Sequence, residues 1–207
     1  AFVGLAGVLS VFTVLGVIFM PALVPMMASG FLGTERFALA VYYGRIAFPY
    51  IFFISLSALL SGVLNATGRF TAAAAAPLLL NIIFIAALLI AAIRCPCDDF
   101  AGKVYLGQAL TFAVPIAGIA QLAMVWFAAK RAGFPLRFGR PKITPELKRL
   151  AVIAAPAALA GGVIQINMLV GRQFASYFEG AVAWLNYADR LYQLPLGGVG
   201  IAIGVVL

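Results

Sequence analysis

Histidine is absent from this sequence, and cysteine occurs only at Cys95 and Cys97, within a single CPC. The missing histidine excludes His/Cys zinc sites and nucleophilic triads that use a histidine base. One Cys-x-Cys reads as two loop thiols, or as a local disulfide in an oxidising compartment. Charge is the next scarcity. Charged residues make up 10% of the chain, against about 25% in a soluble domain. A water-facing surface cannot be covered with so few charges, so most of the solvent must be lipid. The deficit is not that of a cleavable signal, because the apolar character runs from Ala1 to Leu207. No phosphate-binding Gly-x-x-x-x-Gly-Lys-Ser/Thr is present, and no apolar run holds the paired carboxylates of an acid–base hydrolase. The sequence opens without an initiator Met and stops inside the apolar run GIAIGVVL, as expected of a piece of a longer membrane protein.

What is abundant is apolar: 65% hydrophobic residues and a mean hydropathy of +1.11. A bilayer core of about 30 Å is crossed by about 20 apolar residues in a helix. Six stretches meet that length, at residues 2–27, 37–64, 74–93, 104–129, 145–177 and 181–207. They are continuous runs rather than short alternating segments, so an all-α polytopic membrane protein is expected and a barrel is not. Thr144 followed by Pro145 and Glu146 predicts a helix start. Pro21, Pro49, Pro115, Pro156 and Pro195 lie inside the runs. Such prolines suggest bent helices whose freed carbonyls are satisfied by neighbours.

Orientation follows the cations in short loops. The connection at residues 130–144 and the start of the next helix carry Lys130, Arg131, Arg137, Arg140, Lys142, Lys148 and Arg149 against one acid, Glu146. This loop is expected on the cytoplasmic side. Counting back places NATGRF there too, with Arg69 as its lone cation. The connections SGFLGTER, CPCDDF and SYFEG then lie outside, and both ends of the chain lie inside. The basic loop lacks interleaved aromatics, so it reads as a membrane anchor in contact with anionic lipid and not as a nucleic-acid patch.

Ionisable residues deep in an apolar span are costly and mark function. In AWLNYADRLYQLPLGGVG, Arg190 falls about nine residues into the last run, roughly 13 Å at 1.5 Å per residue. Asn186, Arg190, Gln193 and Gly197 share one helical face, while Asp189 points about 100° away. In the fifth run Gln165, Asn167 and Arg172 are polar, with Arg172 near enough to the end to snorkel. Arg45 is similarly placed in the second run, and Asn81 suits a helix–helix hydrogen bond. A buried cation without catalytic acids suits recognition of phosphate or pyrophosphate, which arginine binds bidentately.

The stretch FPYIFFISLSALLSGVLNATGRFTAAAAAPLLLNI resembles the region around the fourth and fifth membrane helices of the MurJ/MviN lipid II flippases. YADRLYQLPLGGVGIAIGVVL resembles their eighth helix. These flippases belong to the multidrug/oligosaccharidyl-lipid/polysaccharide exporter superfamily. The resemblance implies a transporter in the bacterial inner membrane and not an enzyme, with this chain as its third to eighth helices. Its cargo would be undecaprenyl-pyrophosphate-linked peptidoglycan precursor, lipid II, moved by alternating access. The implied substrate-binding residue is Arg190, with Asn186 and Gln193 beside it as hydrogen-bonding partners. No cofactor or metal is implied, and a coupling ion or the membrane potential would supply the drive. Members often carry an acid in the outer half of the seventh helix for cation coupling; here that stretch has Gly171 and Arg172. Two other readings compete: another exporter of the superfamily, for polysaccharide-lipid or drugs, and a membrane-embedded polyprenyl-phosphate transferase. The first would line its cavity with acids, and the second would need acidic metal-binding clusters.

Overall fold

The computed structural model describes residues 2–94, 100–134 and 145–195, and among these every regular element is a helix. The order is α1 (Phe2–Ile18), α2 (Met20–Met27), a 3-10 turn (Ser29–Phe31), α3 (Glu35–Ala47), α4 (Tyr50–Ala66), α5 (Thr71–Arg94), α6 (Phe100–Arg131), α7 (Pro145–Ala175) and α8 (Ala181–Pro195). Glu35–Ala66, Thr71–Arg94, Ala101–Arg131 and Val152–Ala175 are each long and apolar enough to cross a membrane. The bent pair α1–α2 makes a fifth crossing if taken as one span. The expected all-α polytopic fold is therefore observed. Of the last expected span, residues 181–195 form α8, and Leu196 through Leu207 lie outside the described residues. So do Cys95, Cys97 and the acids beside them, and residues 135–144 of the basic loop with Thr144.

The prolines act unequally. The stretch expected as one first span turns by 78° between α1 and α2. Pro21 has no N–H to offer the Val17 carbonyl, and Arg45 Nε donates to that oxygen instead at 3.3 Å. Arg45 thus has a definite structural task that its sequence position left open. At Pro49 the chain tightens into 3-10 geometry between α3 and α4, with Ile51 N–H donating to Phe48 and Phe52 N–H to Pro49, both at 3.1 Å. Pro77, Pro115 and Pro156 are carried inside α5, α6 and α7.

Two compact units divide the chain: Ala1–Met20 with Ala40–Lys148, and Pro21–Leu39 with Arg149–Leu207. In the first, Leu60 and Leu64 of α4, Ala76 of α5, and Val125 and Ala129 of α6 form a buried cluster. Small residues let these helices approach: a Cβ on Gly118 would lie 2.8 Å from the Tyr50 ring and 3.0 Å from Phe53 Cβ. Gln121, 1% exposed, ties the three helices by accepting from Tyr50 Oη at 3.1 Å and donating to the Ala76 carbonyl at 2.7 Å. The outward face of α5 exposes Leu78, Ile82, Ile85 and Leu89 at helical spacing, a stripe suited to lipid.

The α4–α5 turn is built by Gly68 at φ +76°. Arg69 N–H donates to the Leu64 carbonyl and Gly68 N–H to that of Asn65, both at 3.0 Å, closing the end of α4. This agrees with reading NATGRF as the connection between the second and third spans, its Asn65 and Ala66 closing α4.

Candidate functional site

The second unit holds the polar residues singled out on α7 and α8. Between these helices lies a cleft of about 330 Å³, lined by Asn167, Gly171 and Arg172 of α7 and by Leu185, Asn186 and Asp189 of α8 among others. Asn186 and Asp189 reach it together because residues three apart share a helix face. Asn186 Nδ2 donates to the Val182 carbonyl of its own helix at 2.8 Å. That bond fixes the amide and leaves its oxygen without a partner among the described residues. Arg172 and Asp189 likewise pair with no described residue, so the cleft offers a guanidinium, a carboxylate and two amides. Such a set can hold anionic oxygens, hydroxyls and amide groups at once.

Arg190 and Gln193 do not line this cleft; both are exposed on α8 beside it. Of the three residues expected to contact substrate, the structure places Asn186 in the polar cleft, while Arg190 and Gln193 stand on the same helix facing outward. Asn186 also borders a second cavity, of about 560 Å³, with Arg36, Phe178 and Glu179. Set against Arg190, Asp189 appeared displaced, yet its offset from Asn186 carries it into the cleft.

At the α7–α8 connection, Gln173 and Ser176 hold the 3-10 turn. Ser29 N–H donates to Gln173 Oε1 at 3.1 Å, and Gln173 Nε2 donates to Ser29 Oγ at 2.7 Å. Ser29 and Tyr177 hydroxyls share a bond of 2.6 Å, and Gly30 N–H donates to Ser176 Oγ at 3.0 Å. Arg36 pairs with Glu179. These bonds join SGFLGTER to SYFEG, two connections to which the charge pattern assigns the same side. The only sequence signal for them was polar residues at the ends of apolar runs, which does not reveal the pairing.

Comparison with known proteins bears on what these elements belong to. A family model described as lipid II flippase MurJ matches residues 1–207. A probable lipid II flippase MurJ of Rhizobium tropici is 44% identical over 205 residues, 98% of this chain and 38% of that protein. One from Rhizobium meliloti (strain 1021) is 46% identical over 185 residues, 88% of this chain and 33% of that protein. The lipid II flippase MurJ of Burkholderia cenocepacia is 39% identical over 207 residues, 98% of this chain and 39% of its own length. The chain thus spans 33–39% of the length of these relatives. With the family match running from the first residue to the last, this membrane-helical chain belongs to the lipid II flippase MurJ family.

Proposed function

We propose that this chain is the part of a bacterial inner-membrane flippase that carries undecaprenyl-pyrophosphate-linked peptidoglycan precursor between leaflets. The observation that carries the reading is the polar cleft lined by α7 and α8, where α7 is apolar enough over Val152–Ala175 to cross a membrane. A flippase must shelter a pyrophosphate and a saccharide–peptide headgroup while the polyprenyl tail stays in lipid. Arg172 and Arg190 offer planar donors for pyrophosphate oxygens, and Asn167, Asn186 and Asp189 suit hydroxyl and amide groups. Gln193 adds an exposed amide next to Arg190 on α8. No bond of the cargo is made or broken in this scheme, and transport needs only alternating exposure of the site. The break at Phe19 and the tightened turn at Pro49 are places where helices can reorient. The drive comes from a coupling ion or from the membrane potential. An ion held at the outer half of α7 would need an acid where Gly171 and Arg172 stand. Neither the alternative exporter nor the transferase gains support, since the family match and the named relatives are flippases.

The test is lipid II translocation by the full-length protein in cells depleted of their own flippase, with expression and thermal midpoint measured in parallel. Arg190→Ala is expected to slow translocation about tenfold or more, the scale of one charge-assisted phosphate contact. Asn186→Ala and Asp189→Asn are expected to give smaller losses. A well-folded Arg190→Ala protein that translocates at the wild-type rate would remove Arg190 from the cargo path.

A further inference from the structure

The first unit contains a second cationic cavity, which the substrate reading does not use. It measures about 500 Å³ and opens where the α4–α5 turn meets the C-terminal end of α6. Arg69 and Arg131 line it together with Leu64, Phe70, Ala72 and Ala128. Neither guanidinium makes a hydrogen bond or ion pair with any described residue. Each therefore keeps its full fork of donors, in a cavity whose other walls are mainly apolar. The start of α5 contributes as well, because Thr71 and Ala72 line the cavity and precede the first helical donor, Ala74 N–H, which bonds the Phe70 carbonyl at 2.9 Å.

We infer that this cavity binds the phosphate of an anionic glycerophospholipid, with Arg69 and Arg131 on the headgroup and Phe70 against the acyl region. Two unpaired guanidiniums call for an anion with several oxygens, which points to a phosphate. The apolar walls separate a lipid phosphate from free phosphate. Leu64 forms the buried floor at 1% exposure, while Phe70 projects at 60% exposure beside Arg69. An inorganic ion gains nothing from those surfaces, whereas a lipid fills them with its glycerol backbone and first methylenes. Position favours the same ligand: the cavity sits at a helix end continuous with the basic segment beginning at Lys130, the end that cation counting places at the anionic cytoplasmic leaflet. A bound lipid would brace α5 against α6 at that end.

The experiment is lipid titration of the delipidated full-length protein, followed by native mass spectrometry, with phosphatidylglycerol, phosphatidylcholine and inorganic phosphate as separate ligands. The variant is Arg69→Gln with Arg131→Gln. The control is Arg94→Gln with Lys103→Gln, which removes two exposed cations from the opposite ends of the same helices. Wild type and control are expected to retain phosphatidylglycerol in preference to phosphatidylcholine. The cavity variant should bind phosphatidylglycerol about tenfold more weakly, the scale of one charge-assisted contact. Arg69→Lys with Arg131→Lys should recover part of the loss. Equal losses in the cavity variant and the control would overturn the proposal, since net charge alone would then explain binding. Inorganic phosphate binding as tightly as phosphatidylglycerol would overturn the lipid assignment. The arginines are exposed, so an unchanged thermal midpoint in both double variants checks that folding is intact.

Discussion

The two units are held together by different chemistry. The first buries a continuous apolar cluster in which small residues and leucines interdigitate across α4, α5 and α6; of its buried polar side chains, Gln121 bonds to both α4 and α5, whereas Ser57 Oγ has no partner among the described residues. In the second, hydrogen bonds join the Ser29–Gly30 turn to Gln173 and Ser176 at the end of α7. In lipid, apolar burial between helices gains little from water release, so close packing and polar contacts decide which helices adhere. A tightly packed unit is stiff. Hydrogen bonds at one connection fix that end of α7 without specifying how its length is packed. The polar cleft lies in the second kind of unit.

The sharpest way to break this contrast is at the fastening. A Cβ on Gly30 would lie 2.5 Å from the backbone carbonyl carbon and oxygen of Ser176. Backbone cannot rotate away as a side chain can. Gly30→Ala is therefore expected to separate the 3-10 turn from α7, cost about 2–3 kcal/mol, and abolish the Gly30–Ser176 bond. Hydrogen exchange of the full-length protein would show the 29–36 segment opening while α4–α6 stay protected. Equal loss of protection in both units would show that they are not separately held.

A smaller effect is expected in the first unit from Gln121→Leu. The substitution keeps volume but strips the bonds to Tyr50 and to the Ala76 carbonyl. Interhelical hydrogen bonds in membranes contribute about 0.6–2 kcal/mol, so a loss of about 1–2 kcal/mol is expected in detergent unfolding. Adding Tyr50→Phe removes the stranded hydroxyl and should recover part of it. Full additivity of the two changes would mean that the bond between them contributes nothing.

The all-helical, membrane-spanning character was legible because long apolar runs bounded by Pro, Gly and cations leave few alternatives in a bilayer. The break between α1 and α2 was less so. Pro21 announced a bend, but the 78° turn also needs a donor for Val17, and Arg45 lies far along the chain from it. Gly68 and Arg69 read correctly as a turn, because a Gly at positive φ closing a helix is a local event. Of the residues singled out on α8, the cleft takes in Asn186. The i, i+4, i+7 face through Asn186, Arg190 and Gln193 assumed that one face of α8 meets the cargo. The cleft beside α7 is lined from α8 by Leu185, Asn186 and Asp189, a face that the spacing within α8 alone does not single out. Which side of a helix meets its neighbour is a tertiary fact, and α8 is polar on more than one side. The fastening of Ser29 by Gln173 was invisible for the same reason, as both residues are ordinary loop-edge polars until the fold joins them.

The mildest prediction separates the uncharged from the charged part of the fastening. Arg36 and Glu179 pair, but their side chains are 50% and 85% exposed. An ion pair that open to water is screened and carries the entropic cost of holding two long side chains, leaving about 0.2–1 kcal/mol. A double-mutant cycle with Arg36→Ala and Glu179→Ala should give a coupling energy in that range, falling as salt rises. Gln173→Leu removes the bonds to Ser29 and should matter more than either charge. Its cost should not vary with salt, because the Arg36–Glu179 pair stays in place. A coupling between Arg36 and Glu179 well above 1 kcal/mol would mean that charge, and not the half-buried hydrogen bonds, holds this connection closed.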